Sequence, residues 1–227
     1  MKFTTAAFVS SLAVLSLVST GLDAQETPKR DTATLLFENP DWSKAPAGAK
    51  ITYDYSRQTY GTAEYGEHFD DTASLSLAAG ETAESRKVDI QLFSGAHRRP
   101  TGTFESTTTN PILLLIFENN IQHLANLFQA NPQHFKSAIR KAWREAAVIE
   151  DVSVNAGGKT VPGTRVTIRP FVNDDHKDLM KGLEGMTYII EIADSIPGEI
   201  AAIDIHAPAD GAPKFSETLR YKSVTAP

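Results

Sequence analysis

Hydrophobic and polar residues alternate one by one in three separate segments of the first half of the chain. Every second residue is apolar over 50–57, and the pattern recurs over 69–77 and 86–93, with Gly80 between the last two. A period of two is typical of a β-strand that buries one face. The spacing therefore predicts three antiparallel strands connected as hairpins.

The middle of the chain has a helical period instead. Asn110-Pro111 and Asn131-Pro132 each join a residue that caps helices to a proline suited to the first helical position. An unbroken apolar run over 112–117 follows the first pair, and apolar residues spaced three to four apart follow the second. The pattern predicts a helical hairpin at about 110–147.

Beyond residue 147 the period returns to two, and Gly157-Gly158 is suited to a hairpin turn. The segment 31–50 is interpreted as a short strand or turn that leads into the first regular element. The sequence thus predicts an α+β fold, in which a curved, half-barrel-like antiparallel β-sheet carries a helical hairpin inserted mid-chain. The remaining predicted elements are strands near 152–154 and over 165–169, 186–192, 200–206 and 215–221, a polar loop over 173–185, and turns at 197–198 and 210–213.

The first 24 residues differ in character from the rest. Lys2 provides the single positive charge of the N-terminal region, and residues 6–18 are apolar. Leu22-Asp23-Ala24 ends in the small residue that signal peptidase requires. We expect a signal peptide over 1–24, cleavage near Ala24, and one domain over 25–227 in the periplasm or outside the cell. The alternative is an uncleaved N-terminal anchor, although the apolar run is short for a membrane span.

Charge and cysteine content exclude several classes of protein. Lys and Arg number 22 against 28 Asp and Glu, which gives a net charge of −6, and there is no cysteine. Without clustered basic residues we expect no nucleic-acid partner and no electrostatic membrane anchor. Without cysteine there is no disulfide, thiolate metal site or cysteine nucleophile. The mature chain contains no further segment long enough to be an integral membrane span.

The order of elements resembles the LolA-type half-barrel carriers of bacterial lipoprotein sorting. The resemblance covers roughly 35–221, with several strands, an apolar helical insertion and several more strands. It implies a curved antiparallel sheet closed by helices over an apolar cavity. The stretch 110–118, Asn-Pro-Ile-Leu-Leu-Leu-Ile-Phe-Glu, is also similar to segments of exported proteobacterial proteins of unknown function. That second similarity implies export from the cytoplasm and implies no activity.

Histidines and acidic residues are the candidates for metal binding. The six histidines, at 68, 97, 123, 134, 176 and 206, show neither a His-Glu-x-x-His motif nor a two-histidine, one-carboxylate spacing. Asn173, Asp175 and Glu184 occupy three positions of a calcium loop, but Lys177 and Asp178 stand where a ligand and the turn glycine belong. We expect a solvated loop, no metal ligands and no cofactor.

Catalytic candidates are equally sparse. Ser195 lacks the Gly-x-Ser-x-Gly context of a nucleophile elbow. Glu67, His68, Asp70 and Asp71 form an acidic cluster that could support acid–base chemistry if the carboxyl groups met in space. The sequence names no catalytic residue and favours a protein that is not an enzyme.

The apolar run 112–117 has three interpretations: a helix buried by the sheet, a lid over an apolar ligand, or a docking patch for a protein or membrane. The leading hypothesis is an exported, soluble binding protein that holds a lipid or acyl chain between the β-sheet and the helical lid. The alternative is a periplasmic protein-interaction or scaffold module with a fully packed core and no ligand, and a hydrolase that uses the acidic cluster comes third. Under the leading hypothesis the ligand contacts Ile112, Leu113, Leu114, Leu115, Ile116, Phe117, Leu124, Phe128 and Trp143.

Overall fold

The alternation that predicts the first strand is visible in its burial. In the computed structural model, which describes residues 31–38, 42–60, 65–207 and 214–226, Ile51, Tyr53 and Tyr55 are buried on one face of this strand, whereas Asp54 is exposed. The same division recurs in the neighbouring strands, because one face of the sheet covers the core. The strands are Lys50–Thr59 (β1), Phe69–Ala79 (β2), Arg86–Leu92 (β3), Thr103–Thr107 (β4), Val148–Ala156 (β5), Lys159–Ile168 (β6), Thr187–Ile192 (β7), Ile200–His206 (β8) and Phe215–Thr225 (β9).

Within the described ranges the nine strands form one antiparallel sheet in the order β4-β3-β2-β1-β9-β8-β7-β6-β5. The first and last strands of the chain, β1 and β9, are therefore neighbours at its centre. The sheet is curved and not closed, and β4 and β5 are its edges. The α+β class and the curved antiparallel sheet predicted from the sequence are confirmed.

A helical hairpin connects the two edges of the sheet. Its helices are Ile112–Phe128 (α1) and Pro132–Glu145 (α2). The chain leaves edge strand β4, passes through both helices and re-enters the sheet at edge strand β5. The buried side chains of both helices belong to the same core cluster as the inward residues of the sheet. The predicted mid-chain hairpin is confirmed, with α1 beginning two residues after Asn110.

Two parts of the chain add to the sequence-based description. Of the two alternatives for the segment 31–50, a strand or a turn, the described residues before β1 form turns, with short helical turns at Thr34–Glu38 and Trp42–Lys44. Asp31 favours the first of these, because its carboxylate accepts a hydrogen bond from the backbone N–H of Thr34 at 3.0 Å. Strand β4 was not predicted, since its sequence Thr-Phe-Glu-Ser-Thr carries a single apolar residue.

The proposed signal peptide, 1–24, and the predicted turn at 210–213 lie outside the described residues. Among the helices that the structure does describe, none combines the length and the apolar character needed to cross a membrane.

Candidate functional site

The apolar residues predicted to contact a ligand lie mostly inside the core. Five of them are buried against the sheet, whereas Leu115, Phe128 and Trp143 are half-buried. Leu114 alone points outward and is 49% exposed. Of the adjacent pair Leu114 and Leu115, it is Leu115 that packs against the core. The buried members are Ile112, Leu113, Ile116, Phe117 and Leu124.

Three of these predicted residues are connected by a continuous series of aromatic contacts. The series begins at Trp143 on α2, crosses the sheet side of the hairpin and ends at Phe128, the last residue of α1. Aromatic pairs at such separations add to the free energy gained from burial. The ring-centroid distances are 4.9 Å for Phe117–Trp143, 5.4 Å for Phe117–Tyr188, 6.1 Å for Phe171–Tyr188, 5.8 Å for Phe135–Phe171 and 6.1 Å for Phe128–Phe135.

The series ends at an open apolar groove, here called the hairpin groove. It lies where α1 ends and α2 begins and has a volume of about 240 Å³. Leu179, on the helical turn Lys177–Leu179, forms part of its wall and is 70% exposed. The other apolar walls are Phe128, Ala130, Phe135 and Met180, and polar contributions come from Asn131, His134 and His176.

Local sequence explains the shape of this groove. α1 ends because Gln129 adopts a left-handed conformation, with φ of 51°. α2 begins at once, because the side chain of Asn131 accepts a hydrogen bond from the backbone N–H of Gln133 at 2.9 Å. Buried Phe135, one turn into α2, packs edge-on against buried Phe171 and so fixes the following loop beside the hairpin.

That loop brings Asp174 and His176 to His134 of α2, and the two histidines line the hairpin groove. We call these three residues the His–Asp–His cluster. His134 Nε2 lies 2.8 Å from one carboxylate oxygen of Asp174, and His176 Nδ1 lies 3.6 Å from the other. The two imidazole rings are perpendicular, with centroids 5.3 Å apart. The carboxylate of Asp174 is only 6% exposed, so both imidazoles approach a nearly buried negative charge.

A second cavity, more polar and about 680 Å³ in volume, also includes the cluster in its lining. Its walls include Lys141, Glu145 and Arg169 as well as all three members of the His–Asp–His cluster. His134 and His176 therefore line both an apolar groove and a polar, charged cavity. In the sequence, His134 belongs to the predicted second helix, whereas Asp174 and His176 belong to the predicted polar loop over 173–185.

A second polar assembly lies deeper, between α1 and the centre of the sheet. Glu217 of β9 is 1% exposed and is paired across the strands with Arg57 of β1. One oxygen of the carboxylate accepts hydrogen bonds from Tyr55, from Arg57 at 3.3 Å and from Asn119 at 3.0 Å. The other accepts from Asn120 at 2.9 Å. The assembly thus fixes α1 to β1 and β9.

Burial and charge shift the pKa values of the groups around Glu217. Burial and the negative charge of Glu217 raise the pKa of Tyr55 far above its usual range, and the pKa of Tyr188 moves in the same direction. Burial, helped by the positive charge of Arg57, lowers the pKa of His123. Arg57 Nε and His123 Nε2 are buried and have no hydrogen-bond partner within the described part of the chain. The buried charged pair is Arg57 and Glu217. His123 lies near this pair, and its lowered pKa favours the neutral imidazole.

The catalytic candidates from the sequence are dispersed in the structure. Ser195 lies in an open cleft of about 730 Å³ whose described lining contains no histidine. Glu67 approaches His97 at 3.3 Å, whereas Asp71 accepts hydrogen bonds from the backbone of Thr72 and Ser94. These bonds outweigh the opposing effect of partial burial and lower the pKa of Asp71. The described contacts of Glu67 and Asp71 are thus a histidine contact and backbone hydrogen bonds.

Comparison of the sequence with known protein families and with curated proteins finds no match.

Proposed function

We propose that this is an exported, soluble, non-enzymatic binding protein, and that the hairpin groove takes the apolar part of a lipid or acyl chain. The observation that carries the proposal is an open groove with aromatic and aliphatic walls, at whose edge Leu179 is 70% exposed. Complete burial of a leucine side chain is worth about 1.5–3 kcal/mol, and an apolar ligand that covers Leu179 would gain part of that free energy.

The position of this groove modifies the original hypothesis of a ligand beneath the helical lid. Leu113 and Leu124 are 0–1% exposed in the core, so a ligand between α1 and the sheet would have to displace packed side chains. The hairpin groove is already open and includes Phe128, one of the predicted contacts. At about 240 Å³ it lies below the roughly 300–1,000 Å³ usual for drug-sized ligands, which suits a segment of an acyl chain.

Export is part of the same proposal and rests on the sequence of residues 1–24. If this segment is a signal peptide, the mature protein begins at Gln25. Intact-mass measurement on fractionated cells checks this. Protein that retains Met1 in the membrane pellet would contradict it.

The packing of α1 favours a second candidate, the periplasmic scaffold. Ile112, Leu113 and Ile116 fill the space between helix and sheet, as expected of a module that needs no internal ligand. On this view the hairpin presents a rigid surface to a protein partner, and the hairpin groove stays empty of lipid.

Uptake of a fluorescent fatty-acid analogue separates the two functions, and the chain offers a matched pair of variants. Leu179→Glu places a carboxylate at the edge of the hairpin groove, whereas Leu114→Glu makes the same change at another exposed leucine. We expect Leu179→Glu to weaken binding at least about tenfold, equivalent to about 1.4 kcal/mol, and Leu114→Glu to leave it unchanged. Far-UV circular dichroism confirms that both variants fold.

Two results would contradict the proposal that the protein binds a lipid or acyl chain. One is a wild-type protein that takes up no apolar analogue, which leaves the scaffold as the better proposal. The other is equal weakening by both substitutions, because an effect without position dependence does not come from the groove.

A further inference from the structure

We infer that the His–Asp–His cluster is a binding site for a divalent first-row transition-metal ion such as Zn²⁺. One ligand atom from each of His134, Asp174 and His176 lies within 4.8 Å of the others. Two imidazole nitrogens and one carboxylate oxygen form a donor set that proteins commonly use for zinc. The inference does not rest on the proposed ligand of the hairpin groove.

The separations within the cluster are close to those that an ion requires. Zinc–nitrogen and zinc–oxygen bonds of about 2.0–2.2 Å place neighbouring tetrahedral ligands about 3.3 Å apart. His134 Nε2 and Asp174 Oδ2 are 2.8 Å apart, and His176 Nδ1 and Asp174 Oδ1 are 3.6 Å apart. An ion would replace the contact between His134 and Asp174 and would draw together the three ligand atoms, which lie within 4.8 Å of one another.

The carboxylate at the centre of the cluster is held in place by its surroundings. Asp174 Oδ1 accepts a hydrogen bond from the backbone N–H of His176 at 2.8 Å, which orients the carboxylate and the loop together. Contacts of this kind to a ligating group raise metal affinity by fixing its direction. His134 is fixed from the other side, since its neighbour Phe135 is buried against Phe171.

The arrangement is typical of an open metal site. Three protein ligands leave at least one position of a tetrahedral zinc ion for water or an exogenous ligand, whereas closed structural sites use four. His176 is exposed and His134 half-buried, so solvent reaches the cluster. Both histidines line the hairpin groove and also the polar cavity that contains Lys141 and Arg169.

A metal titration distinguishes this site from a simple hydrogen-bonded group. The chain is treated with a chelator, exchanged into metal-free buffer and titrated with Zn²⁺ in a calorimeter. A parallel titration with Co²⁺ is followed by visible absorption, because Co²⁺ with nitrogen and oxygen ligands of low coordination number absorbs strongly. The variants are His134→Gln, Asp174→Asn and His176→Gln, and the control is His68→Gln at an exposed histidine of another loop.

We expect one equivalent of Zn²⁺ to bind wild type and His68→Gln alike. Each substitution in the cluster should weaken binding by about tenfold or more and remove the Co²⁺ absorption bands. Circular dichroism verifies the fold of each variant, and His176→Gln, in an exposed loop, is the least disruptive. The inference is overturned if wild type binds no stoichiometric metal, if folded cluster variants bind as well as wild type, or if His68→Gln weakens binding equally.

Discussion

Glu217 of β9 is a buried acidic residue at the centre of the sheet. A carboxylate that is 1% exposed must be matched by donors, and four side chains supply them. The register that brings Arg57 opposite Glu217 joins the first and last strands of the chain. No short sequence motif could predict this pair, because its partners meet only through long-range strand pairing.

Removal of the Glu217 carboxylate should be costly. In Glu217→Ala, Arg57 stays buried without its counter-ion, which typically lowers the free energy of unfolding by about 3–5 kcal/mol. Urea denaturation followed by circular dichroism measures the loss. Glu150→Ala, at an exposed glutamate of β5, is the matched control and should change stability by less than about 0.5 kcal/mol. Equal effects at both positions would show that the buried pair does not contribute.

His123 should make folding sensitive to acid. Its pKa in the folded protein is lowered by burial and by Arg57, whereas in the unfolded chain it is about 6.5. As the pH falls through 6.5, the unfolded state binds a proton that the folded state does not, so stability falls until the pH reaches the lower, folded-state pKa. The stability advantage of wild type over His123→Gln should therefore shrink between pH 8 and pH 5 in urea titrations. A stability difference between wild type and His123→Gln that stays constant over this pH range would refute the prediction.

At the scale of elements, the sequence predicted the helices and strands that are specified by residues close together in the chain. Asn131-Pro132 marks the start of α2, and the alternation over 50–57 marks β1, because capping and one-sided burial both act within a few residues. Strand β4 lacked an apolar repeat and forms because it pairs with β3 at the edge of the sheet. The helical turn Thr34–Glu38 is stabilised partly by packing, since Phe37 contacts Trp143.

The hydrogen bond that caps the N-terminus of α2 can be tested by substitution of Asn131. Asn131→Ala removes the acceptor of the Gln133 N–H, so the free energy of unfolding should fall by about 0.5–2 kcal/mol. Asn131→Asp keeps an acceptor oxygen at the same position and should stay close to wild type. Chemical denaturation of the three proteins provides the comparison. If the alanine and aspartate variants lose equal stability, the hydrogen bond at Asn131 is not the cause.

At the scale of the whole molecule, the candidate sites are products of tertiary structure. His134 meets Asp174 and His176 because Phe135 packs against Phe171, and this contact joins α2 to a loop that follows β6. The sequence identified both segments, but a search for regular ligand spacing could not bring them together. The apolar run was a stronger signal, yet it could not show that Leu114 faces solvent while Leu113 is in the core.

The same long-range connections lead us to expect that the sheet unfolds as one unit. β1 pairs with β9 at the centre, and one core cluster extends from β3 through the hairpin to β6. The two tryptophans of the chain report on different parts of it. Trp42 packs so closely on Gly198 that a Cβ there would lie 2.8 Å from its ring, whereas Trp143 contacts Phe117 of α1.

In Trp42→Phe the remaining fluorescence comes from Trp143, and in Trp143→Phe it comes from Trp42. Both substitutions will lower stability, so the informative comparison lies within each variant, between fluorescence and far-UV circular dichroism. Because neither half of the sheet can keep its core when β1 and β9 separate, the two signals should give the same urea midpoint in each variant, as a two-state transition requires. Two separate midpoints in either variant would mean that one side of the β1–β9 pairing unfolds without the other, and the sheet would then consist of two independently stable halves.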